Sequence, residues 1–215
     1  MESLTIEALM TEAAKFALVE SVYNEPSIYG ATDGKAIGTY LEHKFKAFLA
    51  SNYDFVLGNS ASGIDIPELG VDIKVTSITQ PQSSCPYKSA RQKIWGLGYS
   101  LVVFVYEKVD DHLNKTAKLN ILHTILVQKE KTGDYQTTSG IRKIVENNGN
   151  KDDILAFIQE RMLPVDDIEA SNIADDVFKT PPEIGYLTIS NALQWRLQYA
   201  RVIKEAGKVE GVIRI

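Results

Sequence analysis

Three side chains in one short stretch carry the strongest chemical signal in this chain: Asp65, Asp72 and Lys74, within residues 62–75. Ile64 and Ile66 alternate with Asp65, and Val71, Ile73 and Val75 alternate with Asp72, Lys74 and Thr76. Period-2 logic therefore puts the aliphatics on one face of a β-hairpin and the polar set on the other. With a turn over Pro67 to Gly70, Ile66 pairs with Val71, and Asp65 lies across from Asp72 with Cβ atoms ~5 Å apart. Carboxylates that close repel unless a cation sits between them. Two acids with the main-chain carbonyl of Ile73 make a hard oxygen donor set suited to Mg²⁺, with Mn²⁺ as a substitute, while Ca²⁺ should bind without supporting turnover. An ammonium beside such an ion, that of Lys74, can orient a water and stabilise negative charge developing on a phosphate.

The spacing resembles the PD-(D/E)XK nuclease superfamily, best known from type II restriction endonucleases. Asp65 matches the first acid and Asp72-Ile73-Lys74 the (D/E)-x-K element. Ile64 stands where the motif's name has proline, and the six residues between the acids are a short interval, as a hairpin connection gives. The resemblance covers mainly residues 36–106. It implies metal-dependent hydrolysis of DNA phosphodiester bonds with 5′-phosphate products. It also implies an acid on the preceding helix that completes the site by holding a second metal or a coordinated water, and Glu42 is the residue placed to do so.

The elements that must position these groups can be read from periodicity. Ile37, Leu41, Phe45 and Phe48 form one apolar stripe and predict a helix over 35–50, with Glu42 on its edge, four residues before Lys46. Residues 89–97 read as a short helix, 99–106 as a fully buried strand and 119–128 as a further strand. Helix, hairpin, helix, strand is an α/β order, and the expected fold is a mixed central sheet flanked by helices, restriction-endonuclease-like, over residues 1–150.

Residues 151–215 look differently organised. Helices are expected over 152–162 and 170–178, followed by the break at Pro181-Pro182. A longer helix is expected over 188–207, capped by Ser190 and stopped by Gly207, with Leu193, Leu197, Ala200 and Ile203 as its apolar stripe. Asn191, Gln194, Gln198 and Arg201 would line its opposite face with DNA-reading side chains. Residues 205–215 resemble the end of a winged-helix recognition helix running into its wing, which would make 151–215 a DNA-binding domain. The same elements could instead complete the nuclease domain.

Composition bounds the partners. The net charge is −5, but residues 73–131 hold nine Lys and Arg against four Asp and Glu, and 186–215 hold five against two. Phosphate binding needs local rather than global positive charge. Lys88, Arg91 and Lys93 flank the acid pair, and Gln80, Gln82, Ser83 and Ser84 form a polar stretch able to read base edges or hold a phosphate. The single cysteine, Cys85, excludes an internal disulfide and fits a reducing cytoplasm. Cys85 with His43, His112 and His123 lacks zinc-ligand spacing. Gly30, Gly34 and Gly38 do not form a dinucleotide-binding loop and mark the entry to the first nuclease helix. No apolar run approaches the ~20 residues of a bilayer span. The leading expectation is a type II restriction endonuclease acting as a homodimer on double-stranded DNA. The alternatives are a structure-specific repair or junction-resolving nuclease and a non-enzymatic winged-helix DNA-binding protein.

Overall fold

A computed structural model describes residues 2–58, 63–86, 88–191 and 195–215. In chain order the elements are β1 (Glu2–Ser3), α1 (Ile6–Val22), α2 (Gly34–Ala50), β2 (Tyr53–Asp54), β3 (Val71–Ser77), β4 (Gln82–Cys85), α3 (Arg91–Trp95), β5 (Ser100–Asp111), β6 (Thr116–Val127), α4 (Tyr135–Glu146), α5 (Lys151–Glu160), α6 (Asp167–Lys179), β7 (Thr188–Ile189), β8 (Trp195–Gln198), α7 (Ala200–Glu205) and β9 (Val212–Arg214). The central sheet has four strands in the order β3-β5-β6-β9, with β3 parallel to β5 and the other pairs antiparallel. It is the mixed, helix-flanked sheet expected from the sequence.

The alternation along β5 shows why this sheet is covered on both sides. Val102, Phe104 and Tyr106 face α1 and α2, while Leu101, Val103 and Val105 face a second, three-stranded sheet ordered β4-β8-β7. A strand packed on both faces needs an unbroken apolar run, and residues 101–105 supply one. On the first face Phe16 of α1, Phe45 of α2 and Phe104 interlock, with Phe45 5.0 Å from each of the other two rings. Each such ring buried contributes roughly 1.5–3 kcal/mol. A third cluster joins Ile141, Ile154, Ile158 and Ile173 of α4, α5 and α6 with Ile94 of α3.

Helix α2, which carries the acid and lysine nearest the site, starts where Asp33 accepts a hydrogen bond from the Lys35 amide at 3.0 Å. Its buried stripe is Ile37, Leu41, Phe45 and Leu49, and Phe48 lies beside it, only partly buried. The expected helix over 89–97 shortens to α3.

Two expectations are corrected. The arm carrying Ile64 and Asp65 is not a strand. A single antiparallel bridge between Ile66 and Val71 closes a 3₁₀ turn over Pro67–Leu69, and Ile64 packs toward the second sheet while Ile66, Ile73 and Val75 join the α1/α2 side. The long recognition helix over 188–207 is also absent: the segment forms β7, β8 and the short α7. The physical reason is the aromatic spacing. Trp195, Leu197 and Tyr199 are fully buried while Arg196 and Gln198 are exposed, a period of two that a helix cannot satisfy. Ala200, placed on the predicted apolar stripe, is exposed. Ser190 caps no helix; its hydroxyl accepts from the Arg196 amide at 3.0 Å. Gly207 does follow a helix end, at φ 77°. Leu193 and Gln194 lie outside the described residues. Strand β8 pairs with β4, and β9 pairs with β6, so residues beyond 186 return to both sheets.

Candidate active site

Strand β3 is an edge of the central sheet, and its unpaired side faces the arm carrying Asp65. Three contacts fix that arm. The Ile66 and Val71 backbones exchange hydrogen bonds of 2.9 and 3.1 Å, and the Gly58 amide donates to the Asp65 carbonyl at 2.8 Å. Gly58 permits this approach because a Cβ there would lie 1.8 Å from the Ile64 carbonyl oxygen. Finally, Asp65 Oδ2 accepts from the Ile73 amide at 2.7 Å, which aims the first acid at the strand bearing the second. The amide and carbonyl of one strand residue point to the same edge, so the Ile73 carbonyl also lies on the Asp65 side.

The charged groups form a chain running from α2 to β3. Glu42 Oε1 accepts from Lys46 Nζ at 2.7 Å, and the same ammonium donates to Asp65 Oδ1 at 2.5 Å. Asp65 adjoins Asp72, and Lys74 Nζ reaches Asp72 Oδ2 at 2.6 Å. Asp72 is only 4% exposed. Burial pushes its carboxyl up to about 7, opposed by the Lys74 charge and reinforced by the neighbouring Asp65 carboxylate. Asp65 goes the other way. Burial alone would raise it, but hydrogen bonds from Asp72, Lys46 and the Ile73 amide outweigh that and lower its pKa. Burial would lower Lys46, yet its two carboxylate partners raise it, so it stays charged.

A divalent cation fits this arrangement. Two adjoining carboxylates, the more buried of which keeps its proton to a higher pH than usual, form a site that an ion can enter with release of that proton. The donors are all oxygens: Asp65, Asp72 and the Ile73 carbonyl. Among the described residues no three His, Cys, Asp or Glu side chains converge on one point. Glu42, expected to complete the metal site, reaches Asp65 only through Lys46. That pairing at i+4 was legible in the sequence; the reach of Lys46 across to Asp65 was not.

Beneath Asp72, on the side of the second sheet, lies a layer of weakly acidic groups. The Tyr99 hydroxyl and Cys85 Sγ are 3.6 Å apart, and the Ser83 and Tyr199 hydroxyls are 2.6 Å apart. Burial raises the pKa of Cys85, Tyr99 and Tyr199, so all three stay neutral next to the acid.

The remaining residues singled out from sequence do not share one face. Gln82 on β4 sits directly across from Gln198 on β8, and Gln198 points outward. Gln80 and Lys88 are exposed, and Lys88 has no acidic partner among the described residues. Arg91 is bound to Glu169 at 2.7 Å and Asp176 at 2.9 Å, which ties its charge to α6. Lys93 is buried against Asn191 and the Ile189 carbonyl, and the Asn191 amide donates to the Arg161 carbonyl at 2.9 Å, so both brace the chain. The Arg201 guanidinium stacks on Tyr135 at 3.5 Å. Arg196, missed in the sequence, is exposed beside Gln198 with no acidic partner among the described residues. The alternation from Trp195 to Tyr199 was the signal that could have placed it outward.

A mixed sheet flanked by helices, with two acids and a lysine at its edge strand, is a restriction-endonuclease-like architecture. The family described as type II restriction enzyme NspV matches residues 3–214. Type II restriction enzyme NspV of Nostoc sp. is 63% identical over 215 residues, covering 100% of this chain and 98% of the relative. No solved structure matches the chain. The chain belongs to the family of type II restriction enzyme NspV.

Proposed function

We infer that this chain is a type II site-specific deoxyribonuclease, hydrolysing phosphodiester bonds of double-stranded DNA at a short sequence, with Mg²⁺ as its cofactor and Mn²⁺ as a substitute. Restriction enzymes of this type generally use a divalent metal. The observation that carries the reading is the acid pair Asp65–Asp72 at the sheet edge, with Lys74 2.6 Å from the second acid.

Asp65, Asp72 and the Ile73 carbonyl would hold the ion, which when bound supplies positive charge to the scissile phosphate and its attacking water. The chain's own groups do the rest. Once Asp72 is ionised, both carboxylates are acceptors. Lys74, on the same face of β3, orients the water in line with the leaving 3′-oxygen and donates to the phosphate, stabilising its extra negative charge. The Ile73 amide keeps Asp65 aimed at the site.

For the DNA surface the outer face of the second sheet is favoured. It presents Gln82, Ser84, Arg196 and Gln198, with Arg196 opposite Ser84 in the strand pairing. Gln80 and Lys88 flank it in sequence. Arg91, Asn191 and Arg201 are engaged elsewhere, and Gln194 is outside the described residues. A winged-helix protein without catalysis loses support, because its recognition helix is replaced by β8 and α7. We also propose that residues 151–215 complete the nuclease body.

A palindromic site presents two equivalent scissile bonds, which favours a homodimer. An apolar surface exposed on α1, with Leu18 at 74% and Val22 at 71%, together with Leu122 of β6, supports such an interface. No helix among the described residues is long and apolar enough to cross a membrane, and the free thiol of Cys85 agrees with a cytoplasmic enzyme. Digestion of plasmid DNA with Mg²⁺ tests the reading. Discrete bands are expected; no cleavage, or nicking only at branched structures, would overturn it.

A further inference from the structure

The acids around this site do not meet as a group of three. They run in the order Glu42, Lys46, Asp65, Asp72, Lys74, with one ammonium between the helix acid and the first sheet acid and another beyond the second; Lys46 Nζ is 2.7 Å from Glu42 and 2.5 Å from Asp65. Lys46 is not a surface lysine that happens to touch an acid, because its side chain is 15% exposed and both partners are themselves mostly covered. Its position on α2 is fixed by the stripe Ile37, Leu41, Phe45 and Leu49, which anchors the helix under β3. In a centre with two divalent ions the second would need the helix acid and the first sheet acid to share it, with the ions ~3.5–4 Å apart. Here that gap holds an ammonium. The other oxygen of Asp65 is already turned to the Ile73 amide.

Resting on the nuclease reading above, we propose that Lys46 is a built-in cation of the centre. It occupies the space between Glu42 and Asp65, so that Asp65 and Asp72 take one divalent ion. Glu42 acts by holding Lys46 and does not ligate a metal. Lys46 is thus a positioning residue: it neutralises the helix acid, orients Asp65 and sets the number of ions.

The test is calorimetric titration of the DNA-free protein with Ca²⁺ alone, which should load the site without turnover. The wild type should bind one ion per chain, and Glu42→Gln should leave that number at one. Lys46→Met should expose the Glu42–Asp65 gap and raise the number to two, and the double variant Glu42→Gln/Lys46→Met should return it to one. Lys46→Arg, which keeps the charge, should also stay at one. Two ions on the wild type, with one lost in Glu42→Gln, would overturn the proposal while leaving the nuclease reading intact. A single ion on folded Lys46→Met would overturn it as well. Should Lys46→Met fail to fold by circular dichroism, the wild type and Glu42→Gln decide alone. A wild type that binds no Ca²⁺ and cuts no DNA would overturn both readings.

Discussion

Strands β3 and β8 are both short and both alternate, yet they do opposite things with their polar residues. β3 directs Asp72 and Lys74 into a dense run of paired charges, with Asp72 buried and dependent on its partners. β8 directs Arg196 and Gln198 to solvent, where among the described residues nothing acidic engages them, while Trp195, Leu197 and Tyr199 fill the core between the sheets. Substitutions on β3's charged face should therefore alter chemistry. Those on β8 should divide by face, with the inner one governing stability and the outer one DNA affinity.

The largest effect is expected at β3. Asp72→Ala should reduce cleavage on the order of 10³-fold or more, with DNA binding retained or strengthened because an anion is removed from the phosphate path. Lys74→Ala should likewise disable cleavage without a large loss of melting temperature, since its ammonium is not packed in the core. Retained wild-type cleavage in either variant would show that the charged face of β3 does not carry the chemistry. Next comes the inner face of β8. Trp195→Ala should cost roughly 3–5 kcal/mol of unfolding free energy, measured by denaturant titration, because the indole is fully buried in the cluster between the sheets. On the outer face, alanine at Gln82, Arg196 and Gln198 should weaken specific binding by ~1–3 kcal/mol for each residue that contacts a base, with unfolding unchanged. Unaltered affinity and site preference would move DNA recognition away from this sheet.

The smallest effect is a pH slope. Asp72 has a folded pKa near 7, above its ordinary value, so the native state holds a proton that the unfolded chain has lost. Its contribution to stability is fully present below about pH 4 and is lost as the pH rises toward 7. Asp65, with its pKa lowered, acts in the opposite sense only below that window. The metal-free protein should therefore lose melting temperature between pH 5 and 7.5 relative to Asp72→Asn, and divalent cations should bind more tightly as pH rises through 7. Parallel melting curves for the two proteins would show that Asp72 does not hold the proton.

The same contrast shows what was legible in the sequence. Asp72 and Lys74 could be placed on one face because Val71, Ile73 and Val75 are β-branched and alternate strictly; the turn at Pro67 to Gly70 returned Asp65 to them, although its arm is not a strand. Helix α2 was equally plain from its apolar stripe. The stretch from 195 to 203 satisfies two periods at once, with helix-forming residue types at apolar positions three and four apart. Only the burial of the two aromatics against β5 and β6 selects the strand, and that is a long-range packing effect outside any local window. Asn191 and Arg91 looked like DNA contacts for the same reason: their partners, Lys93 and Arg161 in one case and Glu169 and Asp176 in the other, are distant in sequence. Lys46 was visible as the partner of Glu42, but its second bond depends on how the Asp65 arm folds back over α2.

Thermal melting with and without Ca²⁺ reads out whether Asp65 and Asp72 together hold a divalent cation. Binding to the native state alone raises its stability, so the wild type should melt at a higher temperature with Ca²⁺. Asp65→Asn, which loses a ligand and half of the repulsion, should show a clearly smaller rise. Equal shifts in the two proteins would place the ion elsewhere than between Asp65 and Asp72.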